Sequence, residues 1–223
     1  MVLLSTISFF LTQHPFWSWL LILIFGVLLS HLLARWRRSG RWYFLILPFF
    51  IYGQLNIFVA HVFNTLFLNA FGVLGTGVVT HSEVTSSTLN DQNVWAYSAA
   101  LKTADGKDVV AEFDTMSASI YPITNAIQIP REGERFIIKY IPGFPQNFAI
   151  MRTLSPYGIR QMVDEDRGPV EKAANQLAAS PANPDFLAEY RGALKKFLDR
   201  HRTDADPALI ERYQRTLDAL PRR

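Results

Sequence analysis

The 223-residue sequence contains no cysteine, which removes disulfides, thiolate metal sites and cysteine nucleophiles together and leaves the compartment open. It holds no acidic residue in positions 1–71, and no charge of either sign in two long apolar stretches, 16–34 and 42–71. The opening MVLLSTISFFLTQHP has no Lys or Arg from which to build the basic first region of a cleaved signal peptide. No small-x-small cleavage pattern follows its apolar core, so the first stretch is expected to be retained. A continuous basic stripe is also missing. Residues 1–71 carry four Arg and no acid, 72–151 carry five Lys/Arg against eight Asp/Glu, and 152–223 carry thirteen against eleven. The pI of about 9.2 therefore arises in separate places, and no surface that tracks nucleic-acid phosphates is expected.

What is present is a turn of four arginines, Arg35, Arg37, Arg38 and Arg41, between the two apolar stretches. At a helical rise of ~1.5 Å per residue each stretch can cross a ~30 Å hydrocarbon layer, so the pattern predicts a membrane hairpin. Basic residues near span ends stay in the cytoplasm, and the next Lys or Arg after the turn is Lys102. The turn, 35–41, is expected to be cytoplasmic and both termini extracytoplasmic, with 1–15 an outer N-terminal segment. Trp17 and Trp19 at one end of the first span, and Trp36, Trp42 and Tyr43 at the other, suit the headgroup layer. Pro15 suits a first helical turn, where its missing N–H leaves nothing unpaired.

The second stretch, 42–71, carries Pro48, Gly53, Gln54, Asn56, His61, Asn64 and Asn69. Gln54 and His61 are seven apart and share a helix face, which offers an intramembrane polar contact to the first span, a second protomer or an embedded partner. In the alternative, preferred reading the crossing ends near His61, and Asn64 and Asn69 lie in the outer interface. Pro48 admits a kink. His14, His31 and His61 invite a metal or proton-relay reading, but their spacing lets at most two meet and no carboxylate is near. No metal, cofactor or catalytic set is expected.

After the spans, Gly72, Gly75 and Gly77 resemble a phosphate loop only superficially, because they precede β-rich sequence rather than opening a helix; they are expected to form a flexible exit. Short β-rich runs from 77 to 151 predict five or six strands. Val78, Val79 and Val84 mark the first, and Val94, Trp95, Tyr97, Ala99 and Leu101 the second. Asp105-Gly106 predicts a hairpin over 94–113. Phe136, Ile138 and Tyr140 mark another strand ended by Pro142-Gly143, and Phe148 and Ile150 a last one. The fold class expected is a membrane α-helical hairpin plus an α+β soluble part. In it a small antiparallel β barrel or sandwich over 72–151, built around Trp95, Tyr97, Phe113 and Phe136, is followed by a short helical bundle.

The segments GTGVV, WAYSAALKTADGK and EGERFIIKYIPGFPQNFAI resemble an uncharacterised family of bacterial membrane proteins with a domain of unknown function. The positions that carry the resemblance are Gly77, Val78, Tyr97, Asp105, Gly106, Gly133, Tyr140, Pro142 and Pro145, within about residues 75–151. The resemblance implies a small extracytoplasmic β domain held by flanking spans in a bacterial inner membrane. It implies no activity.

Asp105, Asp108, Glu112 and Asp114 cluster around the hairpin, and Asp108 and Glu112 share a strand face. Paired carboxylates can do acid/base work or bind a hard cation, but without a His or Asn ligand beside them a solvated acidic face is the preferred reading. Ser82 beside His81, and Ser155, lack a nucleophile-elbow context. Residues 152–162 are expected to link to a helical tail, 163–223. There Asn183-Pro184-Asp185 starts one helix, with Phe186, Leu187, Tyr190, Leu194, Phe197, Leu198 and His201 on its apolar face. Asp206-Pro207 starts another, with Leu209, Ile210, Tyr213, Leu217 and Leu220, and a third helix is expected over 170–179.

The function expected is that of a membrane-anchored, non-enzymatic interaction or envelope-associated protein. Its partners are the lipid bilayer and a protein partner or a second copy of itself, without nucleic acid. Two alternatives stay open: a hydrolase or metal-dependent enzyme using the acidic hairpin, and a small subunit of a membrane transport or secretion complex using Gln54 and His61.

Overall fold

A computed structural model describes residues 1–89, 91–124 and 127–221, and the chain divides into two compact units, 1–155 and 156–223. The first unit combines the apolar helices with the sheet. Helix α1 (Val2–Gln13) is followed at His14 by α2 (Pro15–Trp36), and a 3-10 segment (Gly40–Leu45) runs into α3 (Ile46–Phe71). The helix Pro15–Trp36 and the helical stretch Gly40–Phe71 are each long and apolar enough to cross a membrane. Pro15 opens α2 as expected, and Pro48 falls in the first turn of α3, where a missing N–H breaks no intrahelical bond.

The α2–α3 contact is made by small residues. Ser18, Gly26, Ser30 and Ala34, at multiples of four, are the buried positions of α2. A Cβ on Gly26 would lie 2.5 Å from the Phe49 Cβ, and one on Gly53 would lie 2.8 Å from the Trp19 ring. Such small-residue faces let helix backbones approach closely where no hydrophobic force separates protein from lipid. Large residues such as Leu21, Phe25, Leu28 and Phe58 point outward.

Among the described residues six strands form one sheet in the order β3-β2-β1-β5-β6-β4. They are β1 (Val73–Leu89), β2 (Gln92–Lys102), β3 (Asp108–Asp114), β4 (Ile120–Tyr121), β5 (Arg135–Ile141) and β6 (Phe144–Met151). Neither the expected antiparallel barrel nor the sandwich forms among the described strands, which make one open, mixed sheet: β4 runs parallel to β6, and hydrogen bonding stops at the β3 and β4 edges. The sheet nevertheless curls, since Phe113 of β3 meets Phe148 of β6 edge-on at 5.5 Å between ring centroids. Right-handed strand twist favours this curl, and Val79, Ala99, Leu101, Phe136, Ile138 and Ile150 fill its inside. The hairpin at Asp105-Gly106 forms as expected, with Gly106 at φ +81° and Lys102 opposite Asp108. Trp95, expected in the core, is 40 % exposed.

The glycines after α3 are not a flexible exit. Strand β1 begins at Val73, directly after the last helical turn, and pairs at once with β5. Gly77 lies under the Phe136 ring, where an added Cβ would come within 2.5 Å of Cζ. Lys139 of β5 donates from Nζ to the Asn69 carbonyl (2.5 Å) and to its Oδ1 (3.1 Å), a cation at a helix C-terminus. Leu68, Ile141 and Ala149 form a buried cluster with Phe67 across the same joint.

The second unit holds α4 (Pro156–Ala179), α5 (Pro184–His201) and α6 (Pro207–Ala219). Helix α4 begins inside the stretch expected to be a linker, of which Arg152–Leu154 is a 3-10 turn. Asn183 and Asp206 cap α5 and α6 by accepting from Asp185 N and Ala208 N, each at 2.9 Å. Val163, Val170, Leu194, Phe197, Leu198 and Tyr213 make the core between the helices.

Candidate functional site

The first unit carries a buried polar cluster at the joint of its helices and sheet. Along α3 the inward positions are Gly53, Asn56, Ala60, Asn64, Thr65 and Leu68. Asn64, 2 % exposed, meets Asn147 of β6, 1 % exposed. The two amides exchange hydrogen bonds: Asn64 Nδ2 donates to Asn147 Oδ1 at 2.8 Å, and Asn147 Nδ2 donates to Asn64 Oδ1 at 3.0 Å. Asn64 Nδ2 also donates to Ser119 Oγ (2.9 Å), and its Oδ1 accepts from Ser8 Oγ (2.7 Å). Asn147 Nδ2 reaches the Ser5 carbonyl and hydroxyl, both at 3.0 Å. One turn of amides and hydroxyls thus joins α1, α3, the segment before β4 and β6. A cavity of about one water's volume lies beside it, bordered by Gln13, Glu112, Ser117 and Gln146.

This arrangement orders rather than reacts. It contains no base, acid or activated nucleophile, and its donors and acceptors are spent on one another, which is what burial demands of polar groups. The sequence showed Asn64 as a polar residue in an apolar run but gave no sign of Asn147 as its partner.

The polar pair read from the sequence lies elsewhere. Gln54 is exposed and His61 half-buried, roughly a quarter turn round α3 from the Asn56–Ala60–Asn64 face. Asn64 and Asn69, expected at the outer interface, both bind the β domain, Asn64 through Asn147 and Asn69 through Lys139. Arg35, Arg37, Arg38 and Arg41 are all exposed at the turn, with the Arg37 guanidinium 4.5 Å from the Trp36 ring centroid. His31 lies there too, 3.0 Å from the Tyr43 hydroxyl.

The four acidic residues separate into individual tasks. Asp105 pairs with Lys107 at 2.8 Å, and that hydrogen bond holds its carboxyl below the usual range. Asp108 sits opposite Lys102 at the start of β3, and Glu112 opposite Ser98. Asp114 closes its own turn, accepting from Met116 N (2.8 Å) and Ser117 N (2.7 Å). Among the described residues no three His, Cys, Asp or Glu side chains come together as a metal site would require.

Glu132 stands beside both His81 and Ser82. Glu132 Oε1 accepts from Ser82 N (2.5 Å) and Oγ (2.9 Å), and His81 Nδ1 is 3.8 Å from the same oxygen. These bonds hold the Glu132 carboxyl low. The serine proton is directed at the carboxylate, not at the imidazole, so the trio ties β1 to the loop before β5 and is not ordered for nucleophilic attack.

Among the described residues the outer end of β1 and β2 is a ribbon without a third strand: β5 pairs with β1 only over 73–78, and β3 with β2 only from Ala96 onward. Val84 and Trp95 are cross-strand partners on it, and both are exposed, as is Leu89. In the second unit, buried His201 binds Asp166 Oδ2 through Nε2 at 2.7 Å, and Arg200 reaches the same oxygen at 2.8 Å. No family model, curated protein or solved structure matches the chain.

Proposed function

We propose that this chain is a membrane-anchored, non-enzymatic interaction protein. The α2–α3 hairpin fixes it in a bacterial inner membrane with the arginine turn in the cytoplasm. The curled β domain, built on the plan of a small barrel that stops short of closing, is held outside the cytoplasm and offers its β1–β2 ribbon to a protein partner. The observation that carries the reading is that ribbon: a two-stranded projection is marginal alone, yet it displays Val84, Leu89 and Trp95 to solvent beyond the sheet. The joint at Asn64, Asn147, Asn69 and Lys139 supports it, because it couples the sheet to the anchor without a linker.

The test is affinity capture from detergent-solubilised membranes with the intact chain and with a Val84→Ser/Trp95→Ser variant. A specific companion that is lost with the variant supports the reading; a companion retained by it sends the interface elsewhere. Loss of biological function on replacing Asp105, Asp108, Glu112 and Asp114 by Ala would favour the enzyme alternative instead.

Gln54 favours a second reading, a small subunit of a transport or secretion complex. An amide exposed on a lipid-facing helix seeks an intramembrane partner. Gln54→Leu should then abolish function, whereas a simple anchor tolerates it.

A further inference from the structure

Helix α1 is amphipathic inside out. Ser5 is fully buried against Asn147, Ser8 hydrogen-bonds Asn64, and Thr12 follows on the same face at the i, i+3, i+7 spacing. The Thr6 and Thr12 hydroxyls donate to the carbonyls of Val2 and Ser8 in their own helix. The outward residues are Leu3, Leu4 and Ile7, from 48 to 72 % exposed, and α1 holds no charge. A helix on a protein surface in water turns its apolar stripe inward. Val2 and Phe9 pack toward Gly143 and Phe144, and the remaining apolar residues of α1 face outward, an orientation that matches an apolar surrounding.

The same surface is continuous with the spans. An open groove runs from Ile7, Phe10 and Leu11 of α1 onto Leu21 and Phe25 of α2 and Phe49 of α3. Ser18 at its edge donates to the Phe10 carbonyl, so its hydroxyl is already satisfied. The groove therefore presents hydrocarbon to the surface that α2 and α3 turn toward lipid, with no charge to fix a polar or protein ligand.

Resting on the membrane-anchor reading above, we propose that α1 is a third membrane-inserted element, lying in the leaflet on the β-domain side, with a phospholipid acyl chain occupying the groove between α1 and α2. Residues 1–15 are then a lipid-embedded foot beneath the sheet, and the polar cluster of Asn64 and Asn147 is the seam that docks this foot to the domain.

The natural absence of cysteine allows single-site labelling of the full chain. Bimane would be attached in turn at Ile7→Cys, at Leu28→Cys on the outward face of α2, and at Val110→Cys on exposed β3, with each variant reconstituted in phosphatidylcholine vesicles. The two quenchers are aqueous iodide and phosphatidylcholine brominated on its acyl chains. The expected result is that brominated lipid extinguishes Ile7 and Leu28 to a similar extent and iodide extinguishes only Val110. Iodide quenching at Ile7 with lipid quenching kept at Leu28 would overturn the proposal while leaving the anchor intact. Protection of Ile7 from both quenchers would also overturn it, since a second copy or another protein would then cover the groove. Iodide quenching at Leu28 would refute the anchor itself, and the proposal with it.

Discussion

Removing either member of the asparagine pair should unfasten the helices from the sheet. In Asn147→Ala, one Asn64 amide hydrogen and the Ser5 hydroxyl lose their partner in a buried site. Each unsatisfied buried group costs about 1–3 kcal/mol, and water entering from the adjacent small cavity offsets part of this, so a loss of about 2–4 kcal/mol is expected. At roughly 2–4 °C per kcal/mol for a chain of this size, the unfolding midpoint should fall by about 5–15 °C. Asn64→Ala should cost a similar amount, because it strands Asn147 and both Ser8 and Ser119. The two losses should not add: with both amides gone neither leaves the other unpaired, and the double variant should fall short of the sum by on the order of 1–2 kcal/mol. The assay is thermal unfolding of the detergent-solubilised chain followed by circular dichroism, for the intact protein, both single variants and the double. Strict additivity, or single losses below about 0.5 kcal/mol, would refute the reasoning, since surface substitutions behave that way.

Three further outcomes follow from local geometry. Gly26→Val should cost about 1–3 kcal/mol in the same assay by forcing α2 away from Phe49, while Gly40→Ala, which meets nothing within 4 Å, should be near neutral; equal effects would dismiss the close approach. Asp166→Ala should cost roughly 1–2 kcal/mol and raise amide exchange in α4 and α5, because buried His201 and Arg200 both lose their acceptor; unchanged exchange would show the carboxylate to be idle. The Ser82–Glu132 tie is a pH-dependent one. The folded carboxyl titrates below its ordinary value of 4.5, so the tie is fully present above that value and is lost as the pH falls through the depressed one. Exchange protection at the Ser82 amide should follow that course and become independent of pH in Glu132→Gln, whose amide oxygen accepts at any pH; a pH response in that variant would assign it to another group.

Much of this architecture was legible because it rests on local rules. Two charge-free runs around four arginines marked two helices long and apolar enough to cross a membrane, and these begin and end within a few residues of the expected limits. Asp105-Gly106 and Pro142-Gly143 marked turns whose glycines take positive φ, and Asn183 and Asp206 marked helix starts. What failed was whatever depends on a distant partner. Seven-residue spacing put Gln54 and His61 on one face of α3, but it could not say which face the sheet and α1 would cover; Asn56 and Asn64 lie on that face because Leu11, Ser8 and Asn147 meet them there. Gly75 and Gly77 looked like a hinge because their role, admitting Phe136 and Tyr140 against the backbone, is visible only after β5 has paired. Trp95 looked like core because alternation in β2 does not reveal where β3 stops. The hydroxyl face of α1 was present in Ser5, Ser8 and Thr12, but apolar residues facing outward are recognisable only once the inward contacts are known.

The most direct test of an anchored β domain opposite the arginine turn uses single cysteines at Ser39 and Ser86, probed with a membrane-impermeant maleimide on intact cells stripped of their outer envelope. The expected result is modification of Ser86→Cys from outside and of Ser39→Cys only after lysis. Modification of Ser39→Cys from outside, or of both positions only after lysis, would contradict the placement of the β domain and the interaction role built on it.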